Sequence, residues 1–196
     1  MLTQTERSRI EAAEANVEYL RHMYGSTRAW YTASETKAQL LLAVNGVFVT
    51  VLFGLLFGRS IGTRSEVSQF KADTWVLIGV TAMCLVGAVS CATLSLWSLH
   101  GRAEAEFAEL EVEPGIPSSY RPEVLWYFGH IAHLQPDIVK DKLRTVDRQF
   151  EIDTLSYHVV DLAIKVFRKH RWVNAGWAFT ALGLVALVIA GVSFFI

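Results

Sequence analysis

Residues able to bind a small anionic ligand with an aromatic ring are concentrated between the four prolines of the chain. This segment, residues 114–136, reads PGIPSSYRPEVLWYFGHIAHLQP and contains Arg121, Tyr127, His130 and His133. An aromatic face can stack on a ligand ring, and arginine or protonated histidine donates charge-assisted hydrogen bonds to phosphate. Because proline interrupts helices, we expect a loop or a short broken helix here. The segment therefore predicts either a small-ligand pocket or a hydrophobic cap on neighbouring helices or at a membrane interface.

Metal and catalytic chemistry have weaker support in the sequence. His130 and His133 are three residues apart and suit one face of a helix, but no third ligand follows at a suitable spacing. The chain has no phosphate-binding glycine loop, no nucleophile elbow and no HExxH motif. Its net charge of −1 gives no reason to expect binding to a nucleic acid polymer. We therefore predict no metal, no cofactor and no enzymatic activity.

Three segments without charged residues predict the elements that position these groups. They cover residues 38–58, 74–99 and 172–196, and about 20 apolar residues are enough to cross a bilayer. Soluble helices of this composition would lack a polar face for water to solvate. The sequence therefore predicts three transmembrane helices, with a short loop at 59–73 between the first two.

The positions of lysine and arginine predict the orientation of these helices, because positive residues favour the cytoplasmic side. Eight lie before the first segment, after the second or before the third, namely Arg21, Arg28, Lys37, Arg102, Lys165, Arg168, Lys169 and Arg171. The loop at 59–73 holds three, namely Arg59, Arg64 and Lys71. We therefore predict a cytoplasmic N-terminus, a cytoplasmic region at 100–171 and an external C-terminus.

Helical spacing continues outside the membrane segments. Residues 1–37 carry an apolar stripe at intervals of three and four, formed by Ile10, Ala13, Val17, Leu20 and Tyr24. The second span keeps this spacing past Leu99, and a further helix is expected to start after Pro136 and lead into the third span. Its stripe slips by one residue between Phe150 and Leu155, which predicts a bend or a rotated face. The predicted fold class is an all-α membrane protein with three transmembrane helices and a cytoplasmic helical bundle. The N-terminal helix, the extension of the second span and the helix leading into the third span form this bundle.

Small residues recur at every fourth position in the first span, as Gly46, Thr50, Gly54 and Gly58. Such a face lets two helices approach closely, either within one subunit or between subunits. Asn45 lies beside this ladder, and an amide in hydrocarbon needs a partner across a helix contact or in a wet cavity. We expect substitution of Asn45 to leave membrane insertion intact and to alter assembly. Glu35 and Lys37 mark the cytoplasmic edge of the span.

Two blocks of this sequence resemble the transmembrane effectors of the bacterial Pycsar antiphage system. The first is ASETKAQLLLAVNG, with a small or acidic residue, then KA, then an apolar run to Asn45. The second is WYFGHIAHL, followed by RQFEIDTLS and a basic stretch before the last span. At Glu35 the resemblance leads us to expect aspartate in many relatives, so this position departs from the family pattern. The order, spacing and three-span layout extend the resemblance over most of the chain.

The resemblance implies a membrane effector of the bacterial inner membrane that answers a cyclic pyrimidine mononucleotide. A partner cyclase would make this nucleotide, cUMP or cCMP, and the effector, as a homo-oligomer in the lipid bilayer, would impair membrane integrity and cause abortive infection. The family motifs do not locate the ligand site. From their chemistry we predict Arg121, Tyr127, His130 and Arg148 as ligand-binding residues. Two alternatives remain open: an effector of a related defence system activated by a cyclic oligonucleotide, and a constitutive membrane scaffold or sensor subunit.

Overall fold

Helices form the architecture of the described chain. The computed structural model describes residues 4–57, 71–97, 113, 116, 119–125 and 128–195. Its helices are α1 (Gln4–Phe57), α2 (Ala72–Leu96), α3 (Phe128–Ile131), α4 (Pro136–Arg144) and α5 (Arg148–Phe195). No strand occurs in these ranges. The predicted all-α fold class is confirmed.

Three of these helices are long and apolar enough to cross a membrane. Each contains an apolar window of membrane length, which lies within Asn16–Gly54 of α1, Ala72–Leu96 of α2 and Arg148–Ser193 of α5. This confirms the three predicted membrane helices. Both α1 and α5 also continue well beyond their apolar parts, as the apolar stripes led us to expect. Most of the loop predicted at 59–73 and the predicted extension of the second span lie outside the described residues.

The helix predicted to run from Pro136 into the third span is in fact two helices. Helix α4 ends at Arg144 and α5 begins at Arg148. The cause is local, because the Asp147 side chain accepts a 2.8 Å hydrogen bond from the Phe150 backbone N–H at the start of α5. Such side-chain capping satisfies a backbone donor that has no partner inside the helix. Helix α5 is continuous through Phe150 and Leu155, so the bend or rotated face predicted there does not interrupt the helix.

The chain divides into two compact units, and the first comprises Met1–Tyr31 and Leu99–Val166. Two ion pairs between described residues join α1 to α5 in this unit. Arg21 Nη2 lies 2.6 Å from Glu151 Oε1, and Arg148 Nη2 lies 3.6 Å from Glu14 Oε1. A small apolar core also forms from the proline-bounded segment and α4, and its members are Tyr120, Val124, Leu125, Leu134, Ile138 and Val139.

The second unit comprises Thr32–Ser98 and Phe167–Ile196, and it contains the apolar parts of α1, α2 and α5. The buried face of α2 consists mainly of small residues, namely Thr74, Thr81, Leu85, Ala88, Cys91, Ala92 and Ser95. Small side chains let helices in a membrane pack at close range, where lipid offers no hydrophobic driving force between them. Close packing of small side chains therefore brings the membrane helices of this unit together.

Candidate functional site

Helices α1, α2 and α5 meet most closely around Gly176. A Cβ atom at this position would overlap the Leu41 side chain. It would also lie 3.3 Å from the Cβ of Cys91 and 3.4 Å from the carbonyl oxygen of Ala88. Leu41 is itself fully buried, so it has little room to move aside. Only glycine fits this junction without displacing a neighbour.

A second close approach occurs two turns further along α5. A Cβ atom at Gly183 would lie 3.1 Å from the Cβ of Cys84 and 3.7 Å from the carbonyl oxygen of Thr81. Gly176 and Gly183 are seven residues apart, as are Cys84 and Cys91. Seven residues are about two helical turns, so the two glycine–cysteine contacts lie one above the other along the helices. We call the α1–α2–α5 contact lined by Leu41, Asn45, Thr81, Cys84, Ala88, Cys91, Gly176, Thr180 and Gly183 the helix seam.

Asn45 belongs to this seam and is fully buried. Its Nδ2 donates one hydrogen bond of 2.8 Å to the Leu41 carbonyl oxygen and one of 2.9 Å to Thr180 Oγ1. The Thr180 hydroxyl donates in turn to the Gly176 carbonyl oxygen at 3.0 Å. The structure thus places the Asn45 amide in a polar contact between α1 and α5 of one chain.

The Asn45–Thr180 contact should be measurable as a coupling energy. In a double-mutant cycle of Asn45→Ala and Thr180→Val, we expect the two changes to be non-additive by about 0.6 kcal/mol, with about 1.7 kcal/mol as the upper range for polar contacts between membrane helices. The measurement is the free energy of unfolding in detergent for the four proteins. Strict additivity would mean that the two side chains do not interact in the folded protein.

An ion pair joins α1 to α5 near the first residue that each helix contributes to the second unit. Lys169 Nζ donates a 2.7 Å hydrogen bond to Glu35 Oε1. The Lys169 side chain is only 11 % exposed, whereas the Glu35 side chain is 38 % exposed. Ser95 on α2 donates to the Lys169 carbonyl oxygen at 3.5 Å, so all three helices contribute to this cluster. Lys37, the other residue predicted at the membrane edge, is exposed.

The small-residue ladder of the first span faces away from the helix seam. Gly46, Thr50 and Gly54 are exposed, and an added Cβ would meet nothing within 4 Å at either glycine. The Thr50 hydroxyl is satisfied within α1, since it donates to the Gly46 carbonyl oxygen at 2.9 Å. Gly58, the fourth member, lies outside the described residues. The described part of the ladder is therefore not used for packing within the chain.

The predicted ligand-binding residues occupy different environments in the first unit. Arg121 is exposed, while His130 is buried. Arg148 pairs with Glu14 and keeps 42 % of its side chain exposed. Tyr127 lies outside the described residues. Among the described residues, no group of three or more His, Cys, Asp or Glu side chains could hold a metal ion.

Residues 19–196 match the family model of the Pycsar effector protein domain. The chain belongs to this family. No curated protein and no solved structure matches the chain. The match spans both units and all three membrane helices. The protein is therefore a Pycsar membrane effector that acts in antiphage defence.

The proline-bounded segment of this Pycsar effector is held to α5 by a buried histidine. His158 Nε2 lies 3.3 Å from the Pro122 carbonyl oxygen, well before the apolar part of α5. Burial lowers the pKa of His158, and the positive charges of Lys165 and of His130, when protonated, act in the same direction. The Pro122 carbonyl and Asp161 oppose this lowering of the pKa. The neutral imidazole is thus favoured at this contact.

Several residues of the effector that matter for packing were not predicted from the sequence. Gly176, Thr180 and Gly183 of the third span form one face at four- and seven-residue spacing, which could have been recognised as a small-residue motif. Lys169 was assigned to the basic flank of the span, yet it is the partner of Glu35. Only the three-dimensional arrangement identifies that partner.

Proposed function

We propose that this Pycsar effector is activated by a cyclic pyrimidine mononucleotide, cUMP or cCMP, and then impairs the integrity of the bacterial inner membrane. The family match carries the proposal, because it covers residues 19–196. The nucleotide would come from a partner cyclase, and the effector itself would act without catalysis. Damage to the membrane would stop growth of the infected cell before phage mature, which is abortive infection.

The division of the chain into two units supports separate sensing and membrane roles. The first unit carries Arg121, His130 and Arg148, whose charge and hydrogen-bonding groups suit a phosphate. The second unit contains the apolar helices. Helices α1 and α5 each contribute residues to both units without interruption. In the proposed orientation the N-terminus and residues 100–171 are cytoplasmic, where the cyclase product accumulates, and the C-terminus is external.

A nucleotide can shift the effector only if it binds the active state more tightly than the resting state. Equilibrium binding of the purified effector to cUMP and cCMP tests this first step, with cAMP and a cyclic oligonucleotide for comparison. We expect saturable binding of at least one pyrimidine nucleotide. Binding of the oligonucleotide alone would favour a related defence system, and binding of none would favour a scaffold or sensor subunit. A neighbouring gene for a class III adenylate-cyclase-like protein would support the proposal independently.

We also propose that the active form is a homo-oligomer assembled through the exposed ladder of α1. Gly46 and Gly54 present open backbone on a face that is unused within the chain, and such faces permit close approach of a second helix. Oligomerisation would bring the membrane helices of several subunits together. Such an assembly is needed if the damaged area of the membrane is wider than one subunit.

Replacing Gly54 by leucine should therefore reduce assembly without destabilising the subunit. The new side chain meets nothing within 4 Å in the chain, so we expect the melting temperature to change little and the population of cross-linked oligomers to fall about tenfold, equivalent to 1.4 kcal/mol per contact. Gly191→Leu is the matched control, since Gly191 is also exposed and equally open but lies on α5. Equal oligomer populations in the two variants would contradict assembly through the ladder.

A further inference from the structure

The helix seam buries several polar groups between the membrane helices. Its polar side chains are Asn45, Thr81 and Thr180, all buried. Its two glycines, Gly176 and Gly183, leave backbone accessible wherever the helices part. By contrast, the outward faces carry large apolar side chains, among them Val51, Phe53, Val76, Met83, Val86, Leu182, Val185 and Val188. The seam thus gathers buried polar side chains in one place, whereas the polar side chains on the outward faces are exposed, among them Thr50, Ser90, Thr93 and Asn174.

Each polar side chain of the seam also has a hydrogen-bond acceptor on its own helix. Thr81 Oγ1 donates to the Leu77 carbonyl oxygen at 2.9 Å, and Thr180 Oγ1 donates to the Gly176 carbonyl oxygen at 3.0 Å. Asn45 Nδ2 donates to the Leu41 carbonyl oxygen at 2.8 Å. These three groups therefore keep a partner when the helices separate. Polar groups with local partners can face either a packed interior or a water-filled cavity.

Among the described residues, few polar contacts hold α5 against the other two helices at these depths. One is the contact between the Asn45 amide and the Thr180 hydroxyl, at 2.9 Å from Nδ2 and 3.3 Å from Oδ1, and the other is a long contact of 3.4 Å from Thr81 Oγ1 to the Gly183 carbonyl oxygen. The remaining closure comes from backbone approach at Gly176 and Gly183. A small displacement of α5 would break both polar contacts and open the seam along its length.

We propose that activation parts α5 from α1 and α2, and that the polar side chains of the seam then line a water-filled path through the membrane. This inference rests on the proposed function, because it assumes that the activated effector permeabilises the bilayer. The polar groups that hold the resting subunit closed become the wall of the open path. The ladder of α1 then serves subunit contacts and does not line the path.

The native cysteines allow the seam to be locked without altering the rest of the chain. Replacing Gly176 by cysteine would place a new Cβ 3.3 Å from the Cβ of Cys91, close to the separation of about 3.5–4.5 Å found in disulfides. Gly183→Cys would pair in the same way with Cys84, where the Cβ atoms would be 3.1 Å apart. The second variant serves if crowding by Leu41 prevents the first from folding. Gly176→Ser and Gly183→Ser are controls that cannot form a cross-link.

The experiment measures dye leakage from liposomes that hold the full-length effector, with cUMP or cCMP added after mild oxidation. We expect the oxidised cysteine variants to leak at least tenfold more slowly than their serine controls, and a reductant to restore leakage. Equal rates of dye leakage from liposomes with fully cross-linked and with reduced protein would overturn the proposed separation of α5, while leaving the proposed function intact. Failure of both variants to form a disulfide would overturn the close α2–α5 contact and the opening with it. Wild-type protein that never leaks would remove the proposed function and also this inference.

Discussion

Replacing Gly176 by leucine is expected to destabilise the membrane unit strongly. The added side chain must enter the junction of α1, α2 and α5, where even a Cβ would overlap Leu41 and approach Cys91 and Ala88. Overpacking a close-packed site costs about 3 kcal/mol at the upper end of its usual range. For a chain of this size that corresponds to a melting temperature lower by about 6–12 °C. The change can be followed by intrinsic fluorescence in detergent, since the chain has six tryptophans.

Two further variants serve as comparisons for Gly176→Leu. Gly176→Ala adds only the Cβ, which requires the end of the Leu41 side chain to shift. Its melting temperature should therefore be between those of the wild-type protein and Gly176→Leu. Gly191→Leu adds the same leucine to an open position on the same helix and should have little effect. Equal melting temperatures for Gly176→Leu and Gly191→Leu would contradict the close contact of the three helices at Gly176.

Breaking the Glu35–Lys169 pair is also expected to destabilise the protein, and the two single variants should differ. Glu35→Gln leaves a lysine that is 89 % covered facing a neutral amide, whereas Lys169→Met leaves a carboxylate that water can still reach. Breaking a fully buried pair costs about 3–5 kcal/mol and an exposed pair at most about 1 kcal/mol. For this half-covered pair we expect about 2 kcal/mol for Glu35→Gln and about 1 kcal/mol for Lys169→Met, measured as free energies of unfolding.

The double variant Glu35→Gln/Lys169→Met removes both charges and should be more stable than Glu35→Gln alone, because no covered charge remains without its counter-ion. Asp161→Asn is the matched control. It breaks the pair of Asp161 with Lys165, in which both side chains are more than 40 % exposed, and should cost about 0.5 kcal/mol or less. A loss for Glu35→Gln no larger than that of Asp161→Asn would show that the Glu35–Lys169 pair contributes nothing to stability.

The three membrane helices could be predicted because long runs without charge have few alternatives in a short chain. The boundary between α4 and α5 was missed because apolar spacing continues on both sides of it. The deciding feature is the Asp147 side chain, which caps α5 through the Phe150 N–H. Aspartate is a preferred residue immediately before the first residue of a helix. Asp147 therefore marks the start of α5 in the sequence itself.

The partners of Asn45 and Glu35 could not be predicted in the same way. The depth of Asn45 in its helix follows from the sequence, but apolar residues surround most of a membrane helix, so hydrophobic periodicity does not tell which face meets a neighbour. Thr180 lies 135 residues away and Lys169 lies 134 residues from Glu35. The same limit applies to the ladder, whose spacing suits packing within or between subunits equally. Its exposure in the structure leaves it available for contacts between subunits.

The most direct test of the proposed activity is nucleotide-dependent leakage from liposomes that contain only the purified effector. Vesicles loaded with a self-quenched dye would receive cUMP, cCMP, cAMP or cGMP at equal concentration, with protein-free vesicles as the blank. We expect dye release with cUMP or cCMP, no release above the blank with the purine nucleotides, and a lower rate for Gly54→Leu than for Gly191→Leu. The absence of release with both pyrimidine nucleotides from vesicles that hold correctly folded protein would contradict the proposed activity.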